Sequence, residues 1–259
     1  MFPIRDDNPS FLPPIVTLGL IALNGLSWTL VQGLGASGPL VRSLCELGLI
    51  PAELLGRVQP GTALAITPHV SCTLDAGLVW YTPLTSMFLH GSWLHLIGNM
   101  WFLWIFGNNV EDAMGHARFA VFYLLCGLAA VALQVAHDPD SLLPMVGASG
   151  AIGGVMGAYV MLYPRVRVHL ALLLGFYVTT VAVPASFMLG YWLLIQLVGG
   201  ALDVGHTGGT AFWAHVGGFV AGAGLVFLFR DPRLLARHPY HGWRARRPGP
   251  RFERHRGLW

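Results

Sequence analysis

The chain has no lysine and little charge of either sign. Only 10% of its 259 residues are charged, under half the share of about 25% typical of a soluble domain. That scarcity excludes a soluble enzyme, a disordered chain and a nucleic-acid binder. The missing lysine also rules out a Ser–Lys dyad. No HExxH occurs, which argues against a zinc protease, and no paired carboxylates lie within the apolar runs, which removes an aspartyl mechanism. Neither a metal nor a cofactor is expected. Cys45, Cys72 and Cys126 are too few for a disulfide framework and lack metal-ligand spacing. Cys45 and Cys72 fall in one loop and can pair if that loop is extracytoplasmic, whereas Cys126 sits in an apolar run and reads as packing.

What the chain does have is apolar length. Its mean hydropathy is +0.60, and residues 8–41, 76–110, 119–137, 141–164, 168–202 and 204–229 carry no Asp, Glu, Lys or Arg. A helix needs about 20 apolar residues to cross the hydrocarbon core. These runs predict a polytopic membrane protein with spans at about Pro13–Leu34, Ser92–Phe106, Ala117–Ala136, Ser149–Tyr163, Ala185–Leu202 and Ala211–Phe229. The first apolar stretch is longer than a signal peptide's and is expected to be retained. Pro184 divides the run 168–202, and the β-branched stretch Tyr177 to Val181 favours a strand-like interfacial segment before the fifth span. Residues 35–90 form a mixed loop with apolar pieces suited to the interface.

Arginine sets the expected topology. Nine of the fifteen arginines lie in the last 30 residues, so the tail is expected in the cytoplasm. Six spans put Arg5, Arg118, Arg165, Arg167 and the tail on that side and leave only Arg42 and Arg57 outside; a seventh would reverse the tail. The expected organisation is a cytoplasmic N-terminus (1–12), a membrane domain (13–229) and a disordered, Arg-rich cytoplasmic tail (230–259).

Polar residues inside spans are costly and mark candidate sites. His95 and Asn99 are four apart and share one face of the second span. Ser149 opens the fourth span and His215 lies near the start of the sixth. Under six-span topology all four fall near the same, extracytoplasmic, level. Ser149 shares its face with Gly153 and Gly157, and His215 shares its face with Ala211, Gly218 and Gly222. Small residues of this kind let helices approach at backbone distance, which brings a serine within reach of a histidine. The same glycines are equally compatible with plain helix packing around a passive histidine.

Three motifs, in order and on these spans, carry a family resemblance: HGSWLHLIGNMWFLWIFGNNVED at 90–112, GASGAIGGVMGAY at 147–159 and AHVGGFVAGAG at 214–224. The chain resembles the rhomboid intramembrane serine proteases from about residue 13 to 229. The resemblance implies an all-α membrane protein: a rhomboid-like bundle of six transmembrane helices with an interfacial first loop. It implies Ser149 as nucleophile and His215 as general base, in a dyad without an acid. It implies an oxyanion site made by His95, Asn99 and the backbone around Ala148 and Ser149, with Gly147, Gly150, Gly153, Gly218 and Gly222 shaping its surroundings. Glu111 and His90 fall at positions read as structural. A second GASG, at 35–38, is followed by Pro39 and reads as a loop copy.

Two positions depart from related bacterial members. Tyr81-Thr82 stands where Trp-Arg is frequent, so anchoring of the first loop is expected to differ. Gly153 stands where an aromatic often supports the histidine ring. The implied activity is cofactor-independent hydrolysis of single-span membrane proteins near the extracytoplasmic face, in a multi-pass protein of the plasma membrane with both termini cytoplasmic. The alternative is a non-catalytic relative that binds transmembrane clients. A transporter would show inverted repeats or charged residues mid-span, and neither is present.

Overall fold

The computed structural model describes residues 2–67, 70–74, 79–174, 177–202 and 211–241. The chain starts with strand β1 (Phe2–Asp6) and helix α1 (Ile15–Leu26), which runs on through a π-helical turn at Ser27–Val31. A loop layer follows: α2 (Ser37–Leu47), α3 (Pro51–Leu54), the hairpin β2 (Thr62–Thr67) and β3 (Val70–Leu74), and α4 (Thr82–Thr85). Then come α5 (Trp93–Met114), α6 (His116–His137) and α7 (Ser149–Leu162), a second hairpin of β4 (Arg167–Leu174) and β5 (Tyr177–Pro184), α8 (Ala185–Leu202), α9 (Phe212–Phe229) and the short α10 (Pro232–Leu235).

The molecule is mostly helical, and helices stand at all six expected segments. By length and composition α6, α8 and α9 can each cross a membrane, while Ile15–Val31 and α7 are shorter apolar helices. Large apolar side chains point outward around the bundle, with Leu94 81% and Leu228 76% exposed. Such a surface suits lipid rather than water, and the chain is an integral membrane protein.

The second helical segment runs eight residues past the expected end at Phe106, as far as Met114. Its two carboxylates explain why. Glu111 is fully buried and accepts hydrogen bonds from the backbone N–H groups of Val16 (2.9 Å) and Thr17 (2.8 Å) and from the Thr17 hydroxyl (2.7 Å). Asp112 accepts from the N–H groups of Phe11 (2.9 Å) and Leu12 (2.8 Å). Glu111 therefore caps the first turn of α1 from a neighbouring helix, where N–H groups lack intrahelical partners, and Asp112 holds the segment that leads into it.

α7 is the buried centre and packs most extensively on α9 and α6. Its near-continuous run of small residues, Gly150 to Gly154 with Gly157 and Ala158, allows that position. A methyl group on Gly218 would overlap the Gly150 carbonyl oxygen, and one on Gly222 would overlap that of Gly154. The expected glycine contact between these helices is present: a methyl group on Gly157 would overlap the Phe219 carbonyl oxygen of α9, and one on Gly153 would lie 3.0 Å from that of His215.

Two small sheets accompany the bundle. β4 and β5 pair antiparallel, and β1 joins the other edge of β4, with Asp6 opposite Val168. Pro164 follows the end of α7, and in β4 the alternating residues Val168 and Leu170 turn inward. The strand-like segment expected before the fifth helix is thus one strand of a hairpin. The start of the tail is folded rather than disordered as expected: Leu235 and His238 are buried, His238 Nε2 lies 3.1 Å from the Pro9 carbonyl, and the Asp231 N–H bonds to the Ala113 carbonyl (2.8 Å). The remaining tail arginines, from Arg244 onward, lie outside the described residues, as does the 203–210 connection.

Contacts between the connections sort them into two groups, as alternating crossings require. Leu49 bridges to Met145, Ala52 bonds to Ser141, and Arg57 pairs with Asp140 at 2.8 Å. At the opposite end β1 pairs with β4, and Arg118 lies 3.6 Å from Asp231. Cys45 and Cys72 form a disulfide, with Cα atoms 5.4 Å apart, that ties α2 to β3.

Candidate active site

Gly147 turns the chain into α7 at φ 129°, a conformation that suits glycine. A Cβ there would also lie 2.8 Å from His95 Nε2, so the imidazole needs the missing side chain. The Gly147 N–H is held by the Ser86 carbonyl (2.9 Å), and Ala148 is fully buried. Ser149 is then the first residue of α7, where N–H groups lack intrahelical partners.

Across the glycine contact, His215 Nε2 stands 2.8 Å from Ser149 Oγ. The start of α9 is held in place because the Ala214 N–H donates to Gln134 Oε1 of α6 (3.2 Å). Beside the pair opens a cavity of about 540 Å³, bordered by His95, Asn99, Gly147, Ser149, Trp192 and His215. The four polar residues singled out from sequence therefore share one space. Gly150, Gly218 and Gly222 set the helix approach, and Gly153 lies against the His215 carbonyl.

Asn99 is buried, and its Nδ2 donates to His90 Nε2 at 3.0 Å. An amide nitrogen can only donate, so His90 Nε2 must accept. Burial, with His95 alongside, pushes the His90 imidazole down to about 3, which keeps it neutral for that role. His90 is in turn clamped by the buried Gln32: its N–H donates to Gln32 Oε1 (2.8 Å) and its carbonyl accepts from Gln32 Nε2 (2.7 Å). The π-helical turn at 27–31 leads directly to Gln32. One N–H of the Asn99 amide is thus spent on His90, which leaves the other for the cavity.

Several residues here were not singled out from sequence. Gln196 Oε1 lies 2.7 Å from His215 Nδ1. Trp192, one turn earlier on α8, faces the His215 ring with centroids 5.8 Å apart and an interplanar angle of 39°. It also lies over Gly153, so the aromatic support missing from α7 comes from α8. Gln196 and Gln134 are polar residues within spans, and the rule that selected Ser149 and His215 applies to them equally. In the first loop the Tyr81 hydroxyl donates to the Glu46 carbonyl (3.3 Å) and the Thr85 hydroxyl to that of Leu47 (2.7 Å).

The second GASG also differs from expectation. Ser37 is not in a loop but opens α2, much as Ser149 opens α7. What distinguishes Ser149 is its partner, since His215 is bonded to it.

Comparison with known proteins agrees with this architecture. Residues 78–232 match the rhomboid domain. RHOMBOID-like protein 5 of Arabidopsis thaliana is 30% identical over 195 residues, covering 74% of this chain and 52% of that protein. RHOMBOID-like protein 4 of the same plant is 30% identical over 173 residues (67% and 38%). Rhomboid protease GluP of Bacillus subtilis is 33% identical over 146 residues (56% and 26%). The chain thus spans between about a quarter and about half the length of these relatives. With more than half of its residues inside the domain match, the chain belongs to the rhomboid family.

Proposed function

We propose that this protein is an intramembrane serine endopeptidase that cleaves single-span membrane proteins. The observation that carries the reading is the 2.8 Å contact between Ser149 Oγ and His215 Nε2 at the wall of the cavity. At this separation His215 accepts the hydroxyl proton as Oγ attacks the scissile carbonyl carbon. Charge then develops on the carbonyl oxygen, where His95, the free N–H of Asn99 and the backbone around Ala148 and Ser149 stabilise it. Collapse expels the amine, which takes the proton from His215. Water deprotonated by the same imidazole then releases the acyl group from Ser149.

The site end of the bundle is assigned to the extracytoplasmic face of the plasma membrane, with both termini in the cytoplasm. The arginine distribution supports that orientation, and so does the Cys45–Cys72 disulfide, which suits an oxidising compartment.

A peptide bond within a helix is shielded by its own hydrogen bonds and must be opened before attack. Substrates should therefore carry helix-weakening Gly or Pro near the extracytoplasmic end, with a small residue before the scissile bond. α8 is the element assigned to move aside: a cleft of about 200 Å³ separates Phe102 of α5 from Phe187, Tyr191 and Ile195 of α8. The test is cleavage of a single-span substrate by the protein reconstituted in liposomes. Wild-type protein should cut it near the outer end, and replacing the substrate's Gly and Pro by Leu should slow the cut strongly. Unchanged cleavage of the stabilised helix, or a cut in its cytoplasmic half, would overturn the reading, and binding without cleavage would favour a client-binding role.

A further inference from the structure

Proton transfer from Ser149 needs His215 to keep its own proton on Nδ1, so that Nε2 is free to accept. In Ser–His–Asp sites a buried carboxylate holds that proton. Neither α8 nor α9 contains an Asp or Glu. Gln196 occupies the place instead, with Oε1 2.7 Å from Nδ1. The amide's orientation follows from its other end: Nε2 faces the Trp192 carbonyl one turn back on α8, at 3.4 Å, which turns the oxygen toward the imidazole. A reversed amide would set an N–H against Nδ1 and drive the ring proton to Nε2. His215 would then donate to Ser149 rather than accept from it.

Gln196 is only 7% exposed. Burying an unpartnered amide costs about 1–3 kcal/mol, so the bond to His215 also accounts for a polar residue in an apolar helix. Trp192, four residues earlier on the same face, limits the tilt of the ring.

We propose that Gln196 is the positioning residue of the general base: its side-chain oxygen holds His215 in the tautomer that can take the Ser149 proton. The proposal rests on the assignment of Ser149 and His215 as nucleophile and base. Because α8 is also the element assigned to admit substrate, displacement of α8 would withdraw this acceptor, and its return would restore the base.

The test compares Gln196→Leu, Gln196→Met and Gln196→Glu in the full-length protein, with kcat, KM and melting temperature measured for each. Leu and Met match Gln in size but accept no strong hydrogen bond. They should lower kcat at least about tenfold, a part of the ~10²–10⁴ that a general base supplies, with KM and melting temperature near wild type. Glu keeps an acceptor oxygen, so it should turn over faster than Leu even if the charge lowers its melting temperature. A purely structural glutamine predicts the reverse order, with Leu fully active and Glu worst, and that order would overturn the proposal. If the Glu variant does not insert, folded Leu and Met variants at wild-type kcat overturn it, and folded but slow ones support it. Ser149→Ala, run alongside, separates the two claims. If it still cleaves, the nucleophile assignment falls and the proposal falls with it. If it is inert while Gln196→Leu runs at the wild-type rate, only the positioning role is lost.

Discussion

Gly218 of α9 sits directly against the carbonyl oxygen of Gly150 of α7, with no room for a methyl group between them. The two glycines adjoin the Ser149–His215 pair, since Gly150 follows Ser149 and Gly218 lies one turn beyond His215. Their contact therefore sets the distance between Ser149 and His215.

Gly218→Ala should push the helices apart. The expected loss of stability is about 1–3 kcal/mol, as for other overpacked cores. Activity should fall further, because a misplacement of about 1 Å can cost on the order of 10² in rate. Gly224→Ala, on the same helix but facing open space, should change neither quantity appreciably. Paired melting and cleavage assays decide; an active, stable Gly218→Ala would show that the contact does not set the site.

Much of this arrangement was legible in the sequence because glycine, serine and histidine on helical faces have few uses in an apolar span. Charge-free runs located the six helices, and the starts at Ser149 and Ala185 match. The helix of the second segment continues past Phe106 to Met114, because Glu111 and Asp112, which end the charge-free run, are buried inside the fold. Only the fold shows Glu111 turned onto the first turn of α1 and Asp112 onto the segment before it. Pairing of β1 with β4 joins residues more than 160 positions apart, a contact that no local pattern announces. The two GASG copies each open a helix, and only the partner across the fold tells Ser149 from Ser37. Nothing in the local sequence marks the contact of Gln196, because its partner is a histidine nineteen residues away on another helix.

Asn99 holds one N–H on His90 and offers the other to the cavity. Asn99→Ala should reduce the rate by about 10²–10³, the usual cost of one oxyanion donor, while His215→Ala should be close to inactive. Single-turnover rates on one substrate measure both. Wild-type rates for either variant would contradict its assignment.

Asp6 accepts a hydrogen bond from the Tyr159 hydroxyl at the opposite end of the bundle. Burial raises its carboxyl from the ordinary 3.8 to about 6. Between these values the folded state holds a proton that the unfolded chain has released, so this contribution to stability is present below about 3.8 and lost as pH rises through 6. Asp6→Asn cannot ionise and keeps an oxygen for Tyr159. It should melt about 2–4 °C above wild type at pH 8, equivalent to roughly 1 kcal/mol, and show no advantage near pH 4. An equal gain at both pH values would show that ionisation is not the cause.

Topology is checked through the disulfide and the tail. In intact cells Cys45 and Cys72 should resist maleimide until a reductant is added, and a reporter fused after Trp259 should read as cytoplasmic. An extracytoplasmic reading for the tail would require an odd number of crossings and contradict the assigned orientation.

The central claim is that Ser149, activated by His215, is the nucleophile. Its most direct test is to treat the folded protein with a fluorophosphonate or an isocoumarin and map the adduct by peptide mass. The account predicts modification of Ser149, abolished in Ser149→Ala and strongly slowed in His215→Ala, with both variants inserted and folded. An adduct on Ser37, or labelling of Ser149 at the same rate without His215, would contradict it.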